Sequence, residues 1–307
     1  MRRTILSVMM VGAALTVGAQ TIKTNFKKGD VFNYNDAMNM KMELPMGQGT
    51  QTVDVTKKIA IEIVDKTKDG YKIALTNSGV TIKGDEMASD QALSGAMKYL
   101  NDVKIVFKTD ANAVIQGIDN YEEVVTAASN NALKTIDELY TKNPMIEQAL
   151  PKAKMIMAVS QLLEEKELIK NLQEETHFFL YGKKIKTGDK ENRSLAQGIK
   201  AISTYTIGEN AGNTTISVAS VSNMTEEDVK AMLIEQMKKM GMGDEAASNL
   251  EAGWEQMKGM GMTNIDFKGN ETYVFQPNGA LVSTNSKSDV KVMGMNITMT
   301  RNVEVAP

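Results

Sequence analysis

The stretch VFNYNDAMNMKMEL, Val31 to Leu44, decides the reading of the chain. Its even positions Phe32, Tyr34, Met38, Met40, Met42 and Leu44 are apolar, and its odd positions Asn33, Asn35, Asn39, Lys41 and Glu43 are polar. Apolar residues at every second position mark a strand with one packed face and one solvated face. Met38, Met40 and Met42 therefore share one face of one strand. After a turn at Pro45-Met46-Gly47-Gln48-Gly49, Gln51 to Asp65 alternates again, with Val53, Val55, Ile59, Ile61 and Ile63 on one side. Beyond the turn Lys68-Asp69-Gly70, a third strand opens on Tyr71, Ile73 and Leu75. Past Asn77-Ser78-Gly79 its apolar set moves to Val80 and Ile82, a parity change that predicts a bulge or a break.

Further along, a short helix is expected around Asp90 to Leu100, then a hairpin of Val103 to Lys108 with Ala113 to Gly117. The middle is helical. Asn120 and Glu123 fit a capping box, with Val125, Ala128, Ala132, Ile136 and Leu139 as the apolar stripe. Asn143-Pro144 is a second start, and Pro151 predicts a kink or restart in a helix running to about Leu172. Strands are expected at His177 to Tyr181, Ile199 to Ile207 and Thr214 to Val221, the last two joined by the turn Asn210-Ala211-Gly212-Asn213. Two helices follow, about Glu226 to Met240 and Glu245 to Met260. Three strands close the chain: Asn264 to Phe275, Gly279 to Ser286 and Val290 to Val305. The last would place Met293, Met295, Ile297, Met299, Val303 and Val305 on one face.

Strands, helices, strands, helices and strands in that order predict an α+β fold built on antiparallel sheet. The organisation expected is a signal peptide over 1–19, an N-terminal β-rich block over 20–118 and a helical segment over 119–175. A C-terminal β-rich block then spans 176–307, with a helix pair inserted at 225–262.

The signal reading rests on Arg2 and Arg3, the short apolar run Ile5 to Val17, and the small residues of Val17-Gly18-Ala19. Cleavage after Ala19 would leave Gln20 first and send the protein out of the cytoplasm, to the periplasm or the cell exterior. No later stretch has the apolar length of a transmembrane helix. Losing Arg2 and Arg3 takes the net charge from -3 to -5, a balance that argues against nucleic acid as a partner. The chain has no cysteine, so stability outside the cytoplasm has to come from the core and from hydrogen bonds. Methionine is abundant, at 23 residues against 16 aromatics. It is flexible and polarizable, and suits both irregular cores and adaptable apolar surfaces.

Two segments repeat: EQMKKMGM, Glu235 to Met242, and EQMKGMGM, Glu255 to Met262. Each fits a helix end of the Schellman type. Gly241 and Gly261 turn the chain, and Met242 and Met262 fold back on Met237 and Met257. Thr225 is the expected N-cap of the first helix, with Met224 and Val229 at the staple positions. The alternative is a soft-metal site for Cu(I) or Ag(I) made by Met237, Met240, Met242, Met257, Met260 and Met262, since thioethers select such ions.

The remaining chemistry is sparse. His177 is the only histidine, and with no cysteine both Ser-His-Asp and metallohydrolase schemes would depend on it. The carboxylate pairs Glu122-Glu123 and Glu164-Glu165 lie on expected helix faces. Gly241-x-Gly243-x-x-Ala246 follows a helix rather than a strand and so fails as a dinucleotide fingerprint. The expectation is no enzyme and no cofactor.

Phe26-Lys27-Lys28-Gly29-Asp30-Val31-Phe32 runs into the Met-alternating strand, and Phe179-Leu180-Tyr181-Gly182-Lys183-Lys184-Ile185-Lys186-Thr187-Gly188-Asp189 precedes further strands. In these motifs the chain resembles exported proteins common in Bacteroidota that share a domain of unknown function. That group carries no assigned catalytic residues. At the level of the fold, a curved antiparallel sheet with helices packed on it is similar to the half-barrel of periplasmic lipoprotein carriers. The function expected is a non-enzymatic envelope protein that binds an apolar, lipid-like molecule or an envelope partner protein. The candidate ligand-facing residues are Met38, Met40, Met42, Met293, Met295 and Met299. The alternatives are the Cu(I)/Ag(I) protein above and a structural or adhesive surface protein.

Overall fold

The computed structural model describes residues 19–85, 96–142, 144, 145, 147, 151–195, 198–239, 243–259 and 261–307. The signal segment over 1–18, most of the helix expected near Asp90 and the start at Asn143 lie outside the described residues.

Eleven antiparallel strands form one curved, open sheet. They are β1 (Val31–Glu43), β2 (Thr50–Lys66), β3 (Tyr71–Gly84), β4 (Lys104–Thr109), β5 (Ile115–Ile118), β6 (Lys190–Ser194), β7 (Lys200–Asn210), β8 (Asn213–Ser222), β9 (Ile265–Phe275), β10 (Leu281–Val292) and β11 (Met295–Val305). The order across the sheet is β5-β4-β3-β2-β1-β11-β10-β9-β8-β7-β6. The two β-rich stretches of sequence thus join edge to edge, and the joint is the pairing of the first strand with the last, from Tyr34 opposite Val305 to Glu43 opposite Asn296.

Period-two patterning produces the two faces. Along β1 the even residues point inward, so Tyr34, Met40 and Met42 are buried while Asn33, Asn39 and Lys41 are exposed. The parity change in β3 is a bulge. Thr56 pairs with Thr81 and Lys58 with Ser78, which leaves one extra residue on β3 beside Gly79. The turn after β7 is the two-residue connection Ala211-Gly212, both with positive φ (50° and 79°).

Two expected strands are corrected. Val290 to Val305 is not continuous. Met293 and Gly294 (φ 50° and 77°) make a two-residue hairpin turn, and β10 reaches Val292 while β11 begins at Met295. Such turns need positive φ at both central residues, and Gly294 supplies the easier one. Met293 is therefore a turn residue and does not share the strand face of Met295. His177 to Tyr181 is also not a strand. His177–Leu180 form a 3-10 turn whose N-terminal Thr176 accepts a hydrogen bond from the Phe178 amide. β6 was not anticipated, because Lys190–Ser194 has no apolar alternation to announce it.

The helices among the described residues are α1 (Tyr121–Lys142), α2 (Lys152–Leu162), α3 (Glu165–Glu175), α4 (Glu226–Lys239) and α5 (Gly243–Gly259). The helix after Pro151 ends earlier than expected, breaking at Leu163 and Glu164. Val124, Ala128, Ala132, Ile136 and Tyr140 form the buried stripe of α1, displaced by one residue at each end from the expected one. Asn120 does not close a capping box. Its side chain accepts from the Val106 amide and donates to the Lys104 carbonyl, pinning the start of α1 to β4. Helix α1 packs on β4, and α3 on β5 and on the 3-10 turn.

That turn plugs the trough of the sheet. Phe178 meets Phe107 of β4 edge-on at 5.1 Å, while Phe179 meets Tyr273 of β9 at 5.7 Å. Tyr181 lies 6.0 Å from Phe275 of β9 and 6.3 Å from Phe26, and its hydroxyl donates to the Gly279 carbonyl. One aromatic segment therefore bridges the two halves of the sheet, where edge-to-face pairs add to area burial.

Helices α4 and α5 pack on each other. Thr225 caps α4 as expected: its hydroxyl accepts from the Asp228 amide, and Asp228 accepts from the Thr225 amide. At the end of α5, Gly261 (φ 70°) donates to the Lys258 carbonyl and Met262 to the Met257 carbonyl, the two bonds of a Schellman motif. The corresponding end of α4 lies outside the described residues, as do Met240, Gly241, Met242 and Met260.

Candidate functional site

On the inner face, Met40 and Met42 are buried with Val53 and Val55 of β2 and Ile297 of β11. Met38 and Met295 pack against this cluster half-buried, together with Val290 and Val292 of β10. Met299 stands opposite Met40 and is half-buried as well. The cluster is separate from the main core, which gathers residues of β1 to β5 and β7 to β11 with α1, α2 and α3 around the aromatic plug.

A belt of polar side chains lies between the two. Cross-strand register sets Glu271, Ser286 and Arg301 in one row and Thr284, Val303, Asp36 and Lys57 in the next. Asp36 is 4% exposed. Arg301 grips it with two parallel bonds, Nε to Oδ1 at 2.9 Å and Nη2 to Oδ2 at 2.8 Å, and the Lys57 ammonium lies 3.5 Å from Oδ2. Burial pushes the Asp36 carboxyl up, but the two cations outweigh it and hold the group below the usual carboxylate range. Toward the far edge, Glu271 lies 3.4 Å from Arg193, whose guanidinium stacks 4.0 Å over the Phe179 ring. Glu191 takes both Lys183 and the Tyr205 hydroxyl, and Ser203 bonds Ser220 at 2.7 Å. Burial raises Glu191 too, and its bonds to Lys183 and Tyr205 bring it below its ordinary value.

Where the belt meets the plug there is a cavity of about 60 Å³. It is lined by apolar side chains, Ile59, Ile61 and Leu75 among them, and by the polar side chains of His177, Glu271, Thr284, Ser286 and Arg301. His177 is 7% exposed and stacks on Phe178 at 4.9 Å. Burial, aided by the charge of Arg301, pushes its imidazole down to about 3, so the ring is neutral at neutral pH. Among the described residues its contacts are with the rings of Phe178, Tyr181 and Phe275, and none is a hydrogen bond to a ring nitrogen. A neutral imidazole offers one donor and one acceptor.

The belt could have been found in the sequence. Asp36 interrupts the apolar even positions of β1, as Lys57 does in β2 and Arg301 in β11. Arg193 and Arg301 are the only arginines after residue 19 in a chain with 35 basic residues. Arginine, with its planar fork, is the cation suited to partly buried, bidentate pairs.

Of the soft-metal candidates, Met237, Met257 and Met262 fall within the described residues, and the cap at Gly261 accounts for the last two. Among the described residues no three or more His, Asp or Glu side chains are grouped to hold a metal ion, and no helix is long and apolar enough to cross a membrane.

No family model and no curated protein matches the chain. Among solved structures, a chain described as "Lipid-protein interactions in lipovitellin" is similar at 13% identity and a TM-score of 0.45. The match covers 92% of this chain and 26% of that one, so this chain spans about a quarter of its neighbour's length.

Proposed function

We propose that the protein is an exported, non-enzymatic envelope protein that holds an apolar, lipid-like molecule against the inner face of its sheet. The supporting observation is the half-buried apolar surface beyond the polar belt, where Met38 and Met295 pack with Val290 and Val292, Met299 stands opposite Met40 and Phe267 opposite Val290. Thioethers on such a surface repack around chains of different shape. Met40 and Met42 form the packed floor beneath, and each contributes about 2 kcal/mol of burial.

Organic extraction of the protein purified from its host, followed by mass spectrometry, is the direct test. A co-purifying lipid-like species is expected, and a matching ligand at a hundredfold its Kd should raise stability by about 3 kcal/mol. Met299→Ala should weaken that binding with little loss of stability. Met40→Ala should instead cost about 3 kcal/mol of stability. Protein free of lipid, with no thermal shift from any alkyl-chain compound, would reject the proposal. Export is tested separately by sequencing the N-terminus of secreted protein, which should begin at Gln20.

A further inference from the structure

We infer that the cavity beneath His177 receives the uncharged, hydrogen-bonding head of the ligand, a hydroxyl or glyceryl group rather than a carboxylate or phosphate. This rests on the reading of the inner face as an apolar-ligand site and specifies the chemistry at its polar end. The cavity, about 60 Å³ and lined by both apolar and polar side chains, has room for a group of a few heavy atoms, and Arg301 in its wall is the next residue on the face of β11 that carries Met299.

The charges that line it already have counter-charges. Arg301 is held by both oxygens of Asp36, and Glu271 faces Arg193. An anionic head would be stripped of water beside Glu271 without gaining an uncommitted cation, at a cost that a neutral head does not meet. Thr284, Ser286 and His177 supply what a hydroxyl needs instead, a donor and an acceptor together. His177 is more than nine-tenths buried, has no hydrogen-bond partner among the described residues and lines the cavity, so its ring is open to a ligand hydroxyl.

The test is displacement of bound N-phenylnaphthylamine from the full chain by dodecanol, monododecanoylglycerol and dodecanoate at about pH 8, where the last is ionised. The two neutral compounds should compete about tenfold more tightly than dodecanoate, a difference of about 1.4 kcal/mol. His177→Phe should remove most of that preference while the melting temperature is held. Asp36→Asn, which leaves Arg301 without its carboxylate, should shift the preference toward dodecanoate. Equal or tighter binding of dodecanoate to the wild-type chain would overturn the inference and leave the apolar site standing. Failure of the probe and of all three compounds to bind would instead overturn the site itself. If Asp36→Asn does not fold, the wild-type comparison and His177→Phe still decide.

Discussion

At Asp36 a carboxylate sits where the strand pattern calls for an apolar side chain, and its burial is tolerable only because Arg301 and Lys57 converge on it. Removing one member of such a group strands the others in a poorly solvated place. Asp36→Ala should therefore cost about 3 kcal/mol in urea unfolding near neutral pH. The folded carboxyl lies below its ordinary value, so its contribution is present above about pH 4 and is lost as pH falls further. The gap between wild type and Asp36→Ala should accordingly narrow in acid. His177 acts in a different pH window. Burial first, then Arg301, hold its folded value at about 3 against an unfolded value near 6.5, so the unfolded chain binds a proton that the folded chain refuses. Stability should fall by up to about 1.4 kcal/mol per pH unit as pH drops below about 6.5. Urea midpoints between about pH 7.5 and pH 5 check this, and His177→Phe should flatten the slope.

At the scale of elements, the hairpin turns and the plug carry most of the register. Ala211-Gly212 and Met293-Gly294 are both two-residue turns with positive φ at each position, yet neither begins with the asparagine or aspartate that such turns favour. An alanine with φ of 50° is strained relative to asparagine. Ala211→Asn, at an exposed position, should stabilise the protein by about 0.5 kcal/mol, read as a rise in melting temperature. The 3-10 plug works differently. Its aromatic residues reach β4 on one side of the trough and β9 on the other, far apart in sequence. Its local pattern reads as a strand because a short apolar run carries no period of its own.

At the scale of the molecule, the central seam is β1 against β11. Each half of the sheet ends there on a strand whose inner face is completed by the other: Met40 meets Met299, and Asp36 meets Arg301. The halves should therefore unfold together. Deleting residues 295–307 exposes the backbone edge of β1 and removes Ile297 from the methionine cluster and Arg301 from the belt. The deletion should abolish the cooperative urea transition seen by far-UV circular dichroism, rather than leave the β1–β5 half folded. Survival of a sharp transition would show that the halves are separable.

Local pattern was enough for the α+β class, most strand positions, the β3 bulge, the Ala211-Gly212 turn and the Thr225 and Gly261 caps, because each depends on residues a few positions apart. The break at Met293-Gly294 was hidden because methionine reads as a strand residue, and the 3-10 plug because its apolar residues serve contacts distant in sequence. The polar belt left a trace at Asp36, Lys57, Glu271 and Arg301, each a charge on an apolar face. A lone charge, however, does not name its partner. Only the joining of the first strand to the last brings Asp36 to Arg301, residues 265 positions apart, and sets both beside the cavity under His177. Such pairings follow from how a sheet closes over long loops of chain, and that is decided by tertiary packing rather than by any window of sequence.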